Sequence, residues 1–178
     1  MSGRGPGLGA LVLLAVAVVV LASGGPDDDG RSGDRAAPGG EPPDQGRLRA
    51  RVVKVVDGDT IEVRVGGGVE DVRYIGIDTP ESVAPGQPIE CFGERAARFN
   101  AELVDGRDAT LSFDDERRDR YGRLLAYVRV GRTFVNAELV RRGYARVLSI
   151  PPNTDREALF GRLEQTAGNA GRGLWGAC

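Results

Sequence analysis

Residues 51–65 read RVVKVVDGDTIEVRV, and this stretch decides the fold class. The β-branched run 51–56 predicts a strand, and the alternation of Ile61, Val63 and Val65 with polar residues predicts a second. The Asp-Gly-Asp sequence between them is a turn signal. The two strands are therefore expected to follow one another directly across a tight connection.

Three more strands and three helices are expected in the rest of this region. The strands are predicted at 72–77, 110–113 and 124–130, and the helices at 94–104, at 136–142 and from Thr154 onward. Thr154 and Glu157 have the spacing of a capping box, which would begin the last helix. An open sheet of five short strands would have unpaired backbone groups along its two edge strands. The pattern therefore favours an α+β fold with a small closed β-barrel and helices packed outside it.

The amino-terminal part of the 178-residue chain has a different composition. Its apolar run 8–22 would span roughly 22 Å as a helix, which is shorter than the ~30 Å hydrocarbon core of a membrane. Residues 1–22 are therefore expected to be a signal peptide, with an uncleaved membrane anchor as the alternative. Residues 23–46 are rich in Gly, Pro and Asp and are expected to be a disordered linker. Both alternatives predict a secreted or otherwise extracytoplasmic body, residues 47–178.

Composition excludes several kinds of chemistry. The chain contains no histidine and two cysteines, which rules out Ser-His-Asp triads, His-ligated zinc and zinc clusters of four thiolates. Residues 1–46 hold three arginines and six acidic residues, which leaves 21 basic and 20 acidic residues in 47–178. That balance does not suggest passive nucleic-acid coating. Because histidine and thiolate clusters are absent from the sequence, any catalysis would have to use carboxylates, arginines, hydroxyls and a hard metal ion.

Two acidic segments, DGDT at 57–60 and DTPE at 78–81, each lie at a strand end and can meet at one end of a barrel. Two carboxylates and a carbonyl suit a hard divalent cation. Arg73 precedes Asp78 by five residues, an odd offset that places them on opposite strand faces. A shared site therefore needs a bend at Gly76, or Asp78 beyond the strand end. Taken singly, the Asp-Gly segment is also explained as a turn, and Arg73 is also explained as part of a surface ion pair.

Together with Arg123, these carboxylates and arginines match the needs of phosphodiester hydrolysis: neutralised phosphate charge, bidentate guanidinium binding and an activated water. The blocks at 55–60, 73–81, 119–127, 135–143 and 174–175 keep a common order and spacing over residues 47–176. In these blocks the chain resembles the staphylococcal (micrococcal) nuclease family, also called thermonucleases.

The resemblance implies a five-stranded OB-fold β-barrel with three α-helices. It also implies calcium-dependent cleavage of DNA and RNA to 3′-phosphate and 5′-hydroxyl ends. The implied site residues are Asp59, Asp78 and Thr79 for Ca²⁺, Arg73 and Arg123 for the phosphate, Glu81 as general base, and Tyr121 and Arg120 beside the nucleotide. A monomer is the default expectation.

The chain departs from the family pattern in three places. Residues 82–89 lack the lysines of the staphylococcal enzyme, and residues 147–150 lack its two tyrosines, which leaves tight substrate binding and base preference open. Cys91 and Cys178 are expected to form a disulfide in an exported chain, with free thiols as the alternative. The other candidate function is a non-catalytic OB module that binds nucleic acid or protein.

Overall fold

The structure, a computed structural model, describes residues 46–82 and 88–178. The expected signal peptide or anchor and all but the last residue of the expected linker lie outside these ranges. No helix within them has the length and the apolar character needed to cross a membrane.

Eight strands and four helices make up the described residues. The strands are β1 Arg47–Val55, β2 Thr60–Val65, β3 Gly68–Tyr74, β4 Gly76–Asp78, β5 Asp108–Ser112, β6 Leu124–Val130, β7 Thr133–Phe134 and β8 Arg146–Leu148. The helices are α1 Gly93–Val104, α2 Val135–Arg141, α3 Glu157–Asn169 and the single-turn α4 Leu174–Ala177.

Five of the strands form a closed mixed barrel, as expected. Their order is β3-β2-β1-β5-β6, and a parallel pairing of β3 with β6 closes the sheet. The closing register pairs Val72 with Leu124 and Arg73 with Leu125. Closure leaves neither β3 nor β6 with a free edge. The α+β class, the five-stranded barrel and the three main helices are therefore confirmed.

The apolar face of each strand points into the barrel. Ile61, Val63 and Leu111 are fully buried there, as the alternation of apolar and polar residues predicts. Helices α2 and α3 cover the core from outside with side chains such as Leu139 and Phe160, which are also fully buried. This packing fixes the strand ends that carry the candidate site.

Two local predictions were wrong. The strand expected at 72–77 is interrupted, because the chain turns at Gly76, where φ is +79°. The helix expected from Thr154 begins at Glu157, and no side chain caps it. The amide of Glu157 instead donates to the backbone carbonyl of Thr154, and the amide of Asp155 donates to the carboxylate of Asp114. Tertiary contacts thus hold these residues in a turn.

A disulfide joins Cys91 to Cys178, with a Cα–Cα distance of 6.0 Å. It ties the carboxyl terminus to the segment that enters α1. In the chain-entropy account, closing a loop of this length stabilises the folded state by roughly 4 to 5 kcal/mol.

Candidate active site

Strand register brings the predicted site residues together at one end of the barrel. Thr60 pairs with Arg73 across β2 and β3, and the amide of Tyr74 donates to the carbonyl of Asp59 at 2.9 Å. On the other side of β3, Arg73 pairs with Leu125, two residues after Arg123. Residues far apart in sequence therefore meet around β3.

The bend at Gly76 places Arg73 and Asp78 on the same side. The Nη2 of Arg73 donates to Oδ1 of Asp78 at 2.7 Å, and its Nη1 donates to the carbonyl of Ile77 at 3.0 Å. An unbroken strand would have put the two side chains on opposite faces. Of the two explanations for a shared site, the bend at Gly76 is therefore the one found.

Asp59 is the buried centre of the cluster. Its Oδ1 lies 2.9 Å from Nη1 of Arg73, and its Oδ2 accepts hydrogen bonds from the amide and hydroxyl of Thr79 at 2.7 and 3.0 Å. The residue is only 4% exposed, and this burial raises the pKa of the Asp59 carboxyl to about 7, against the opposite effect of Arg73. One guanidinium thus bridges the Asp59 and Asp78 carboxylates.

Gly58 makes the close approach of Thr79 possible. A Cβ at residue 58 would lie 2.5 Å from the Thr79 hydroxyl oxygen and 2.7 Å from its Cβ, so any larger residue would push Thr79 away from Asp59. The amide of Asp59 also donates to Oδ1 of Asp57 at 2.9 Å, which tightens the turn. The Asp-Gly-Asp segment is both a turn and part of the cluster.

Arg123 is held beside this cluster by its own loop. Its Nε donates to Oδ2 of Asp119 at 2.8 Å, while Oδ1 of Asp119 accepts the amides of Tyr121 and Arg123. Burial acts to raise the pKa of Asp119, but these hydrogen bonds outweigh it and keep the pKa below the ordinary value. Tyr121 is 69% exposed, and its ring lies under the guanidiniums of Arg120 and Arg123.

A cavity of about 260 Å³ lies between the two arginines. Arg73 and Arg123 both line it, together with the aliphatic side chains Leu148 and Ile150, which are 42% and 60% exposed. These two residues occupy the segment that lacks the family's tyrosines. The cavity therefore combines two guanidinium groups with aliphatic side chains, and its lining also includes Tyr74, Glu116 and Asp119.

Glu81 lies two residues beyond Thr79. Its amide donates to Oε2 of Glu90 at 3.0 Å, and its Oε1 accepts the amide of Ser82 at 2.9 Å. Its backbone carbonyl lies against Gly93 at the start of α1, where a Cβ would collide with it. Residues 83–87, which follow, lie outside the described ranges. The general-base role of Glu81 stays a prediction.

The donor atoms fit a hard divalent cation. Asp59, Asp78 and the Thr79 carbonyl supply oxygen only, which suits Ca²⁺ or Mg²⁺ with water at the remaining positions. Among residues 46–82 and 88–178 there is no cluster of three or more acidic, Cys or His side chains that would form a complete cage.

Two asparagines that the sequence analysis did not single out support the site. Asn100 on α1 is fully buried, donates to the carbonyl of Asp57 and accepts from the Tyr74 hydroxyl, each at 3.0 Å. Asn153 exchanges two 2.8 Å hydrogen bonds with the backbone of Glu116. A polar residue on the apolar stripe of a helix is the signal that could have identified Asn100.

Comparison with known proteins agrees with this geometry. A family model described as staphylococcal nuclease homologue matches residues 71–177. The chain is 34% identical over 125 residues to a thermonuclease of Staphylococcus hyicus and 37% identical over 124 residues to that of Staphylococcus intermedius, in each case over 70% of this chain and 74% of the relative. It is 44% identical over 124 residues to the SPbeta prophage-derived endonuclease YokF of Bacillus subtilis (strain 168), over 68% of this chain and 42% of that protein.

The barrel, the carboxylate and guanidinium cluster and these matches define a nuclease, an enzyme that hydrolyses phosphodiester bonds of nucleic acid. The chain belongs to the staphylococcal nuclease family. The resemblance seen in the sequence blocks is thereby confirmed. Enzymatic activity is favoured over a non-catalytic OB module.

Proposed function

We propose that this nuclease cleaves both DNA and RNA with calcium as its cofactor and leaves 3′-phosphate and 5′-hydroxyl ends. The observation that carries the proposal is the bridge from Arg73 to Asp59 and Asp78, formed beside a cavity that Arg123 also lines. Phosphate-binding cations and hard oxygen donors meet there, as hydrolysis of a phosphodiester requires.

The two arginines bind the phosphate that is attacked. Because Asp119 engages the Nε of Arg123, phosphate binding falls to the Nη groups of this residue. Arg73 is only 16% exposed in its side chain and lies against both carboxylates, so its guanidinium is held beside the oxygens that would bind the ion. Its contacts with those oxygens would be exchanged for contacts with the phosphate when ion and substrate bind, and the guanidinium would then stabilise the charge that develops in the transition state. Tyr121 and Arg120 flank the same nucleotide.

Asp59, Asp78 and the Thr79 carbonyl would hold the ion, and the hydrogen bonds from Thr79 orient the Asp59 carboxylate for that purpose. A bound divalent cation supplies positive charge against the phosphate and lowers the pKa of coordinated water. Glu81 accepts the proton of the attacking water as general base.

We place this activity outside the cytoplasm, as a monomer. The apolar run 8–22 supports export, either with cleavage after Ala22 or as an anchor. The Cys91–Cys178 disulfide supports the same location, because structural disulfides persist in oxidising compartments.

The test is cleavage of single-stranded DNA and of RNA by the full-length protein with Ca²⁺, with Mg²⁺ and with chelator. Chelator should abolish cleavage, and Arg73→Ala, Arg123→Ala and Glu81→Gln should each lower kcat/KM by roughly 10² or more. Arg51→Ala is the matched control, because Arg51 pairs with Asp108 and does not line the cavity. Phosphatase treatment of the products should reveal 3′-phosphate ends.

Cleavage that survives chelation, or full activity in all three variants, would refute the mechanism. Binding without cleavage under every metal condition would favour the non-catalytic module instead. Denaturation midpoints of the variants separate lost chemistry from lost folding.

A further inference from the structure

We propose that a second cavity, beside the active site, binds additional phosphates of the nucleic-acid strand that is being cut. This arginine cleft has a volume of about 450 Å³ and is lined by Arg47, Arg117, Arg129 and Arg156. It shares no lining residue with the active-site cavity. The inference rests on the proposed function only in that nucleic acid is the substrate.

The charges of the cleft are available to a ligand. All four arginines are exposed, and within residues 46–82 and 88–178 none of them forms an ion pair. The one carboxylate lining the cleft, Asp114, already accepts three hydrogen bonds: two on Oδ2, from the Tyr127 hydroxyl and the Asp155 amide, and one on Oδ1, from the Asp115 amide. The cleft is therefore locally cationic although the body as a whole is balanced.

Aromatic rings support three of these guanidiniums. The distances from guanidinium carbon to ring centroid are 4.9 Å for Arg117 on Phe113, 4.4 Å for Arg129 on Phe134 and 5.9 Å for Arg156 on Tyr127. A guanidinium that lies on a ring keeps its N–H donors at the edge, where they can meet phosphate oxygens bidentately. The arginines are thus partly positioned before a ligand binds.

The cleft adjoins the active site through two joined loops. Glu116 and Asn153 line the active-site cavity and hold each other by two 2.8 Å hydrogen bonds. The cleft residues Arg117 and Arg156 lie one and three residues further along the same two loops. A strand whose scissile phosphate lies between Arg73 and Arg123 can therefore continue over these loops into the cleft.

Such contacts add affinity for long substrates and not for short ones. Each phosphate contacted on a single strand contributes about 0.7 to the slope of log affinity against log salt concentration. Loss of three contacts should lower that slope by about 2 and weaken binding roughly tenfold or more at about 0.1 M salt. A dinucleotide, which spans only the scissile bond, should not sense the change.

The experiment compares full-length triple variants on two substrates. The test variant is Arg117→Gln, Arg129→Gln, Arg156→Gln. The control is Arg64→Gln, Arg98→Gln, Arg162→Gln, which removes the same charge from exposed arginines that line neither cavity. We measure kcat and KM on a dinucleotide and on a single strand of about 20 nucleotides, long enough for a typical OB-fold site, between about 50 and 200 mM salt.

We expect the test variant to raise KM for the long strand roughly tenfold, to reduce the salt slope by about 2 and to leave kcat and the dinucleotide kinetics unchanged. The control should match wild type. A third variant, Arg117→Lys, Arg129→Lys, Arg156→Lys, should retain most of the salt slope, because it keeps the charge.

An unchanged KM and salt slope in the test variant would overturn the proposal. So would an equal loss on the dinucleotide, or an equal loss of the salt slope in the lysine variant, since both would indicate that the effect does not come from the charges of the cleft. If the wild-type protein cleaves neither substrate, the proposed function is refuted, but the proposal about the cleft is not. Fluorescence anisotropy of the long strand in chelator then still tests the cleft, which predicts weaker binding by the test variant than by the control.

Discussion

Replacing Gly76 by Ala should destabilise the protein through two separable effects. The first is the backbone: φ at residue 76 is +79°, which costs a non-glycine residue about 1 to 2 kcal/mol. The second is packing, because the new Cβ would lie 2.7 Å from Cε2 and 2.9 Å from Cδ2 of Phe160. Phe160 is fully buried, so relief requires a shift in the core, at about 1 to 3 kcal/mol. The expected loss in the free energy of unfolding is about 2 to 5 kcal/mol.

Urea denaturation of Gly76→Ala and of Gly131→Ala separates the two effects. Gly131 also has a positive φ, +55°, but a Cβ there would meet nothing within 4 Å, so this control carries the backbone cost alone. The difference between the two variants should be about 1 to 3 kcal/mol. Equal losses would refute the account of the Phe160 contact.

A double-mutant cycle sharpens the test. Phe160→Leu shortens the side chain that the methyl group added by Gly76→Ala would strike, so the double variant should lose less stability than the sum of the two single losses. Because the bend at Gly76 aligns Arg73 with Asp78, the folded Gly76→Ala protein should also have lower kcat/KM. Full activity in Gly76→Ala would show that the bend is not needed for that alignment.

Two further predictions concern stability. Replacing Cys91 and Cys178 by Ser should lower the free energy of unfolding by roughly 4 to 5 kcal/mol, measured by denaturation, and an unchanged midpoint would contradict the chain-entropy account. Hydrogen bonds to Asp119 hold its pKa below the ordinary value of about 3.9. They therefore stabilise the folded state at pH values above about 3.9, and this contribution is lost as the pH falls through the folded-state pKa. Asp119→Asn should therefore destabilise the protein at neutral pH and progressively less in acid, and a loss that does not change with pH would contradict this.

Local signals in the sequence accounted for most of the fold. Alternating apolar residues identified β2, and the Asp-Gly-Asp turn between β1 and β2 falls at the expected place. The odd offset from Arg73 to Asp78 correctly required a break in the strand, and Gly76 supplies it. These features follow from neighbouring residues, which a sequence displays directly.

Features that depend on tertiary contacts could not be predicted from the sequence. The capping box at Thr154 failed because Asp155 bonds to Asp114, more than 40 residues away in sequence. The two-residue strand β7 and the three-residue strand β8 are too short to produce a periodic pattern. The arginine cleft draws its cations from separate strand ends and loops, and no spacing in the sequence relates Arg47 to Arg156.

Closure of the barrel by β3 and β6 makes the phosphate-binding pair a product of complete folding. Arg73 lies on β3 and Arg123 directly precedes β6, so the parallel pairing of Val72 with Leu124 and of Arg73 with Leu125 brings the two arginines together. A variant that opens this pairing would separate the arginines even if every residue of the site were retained.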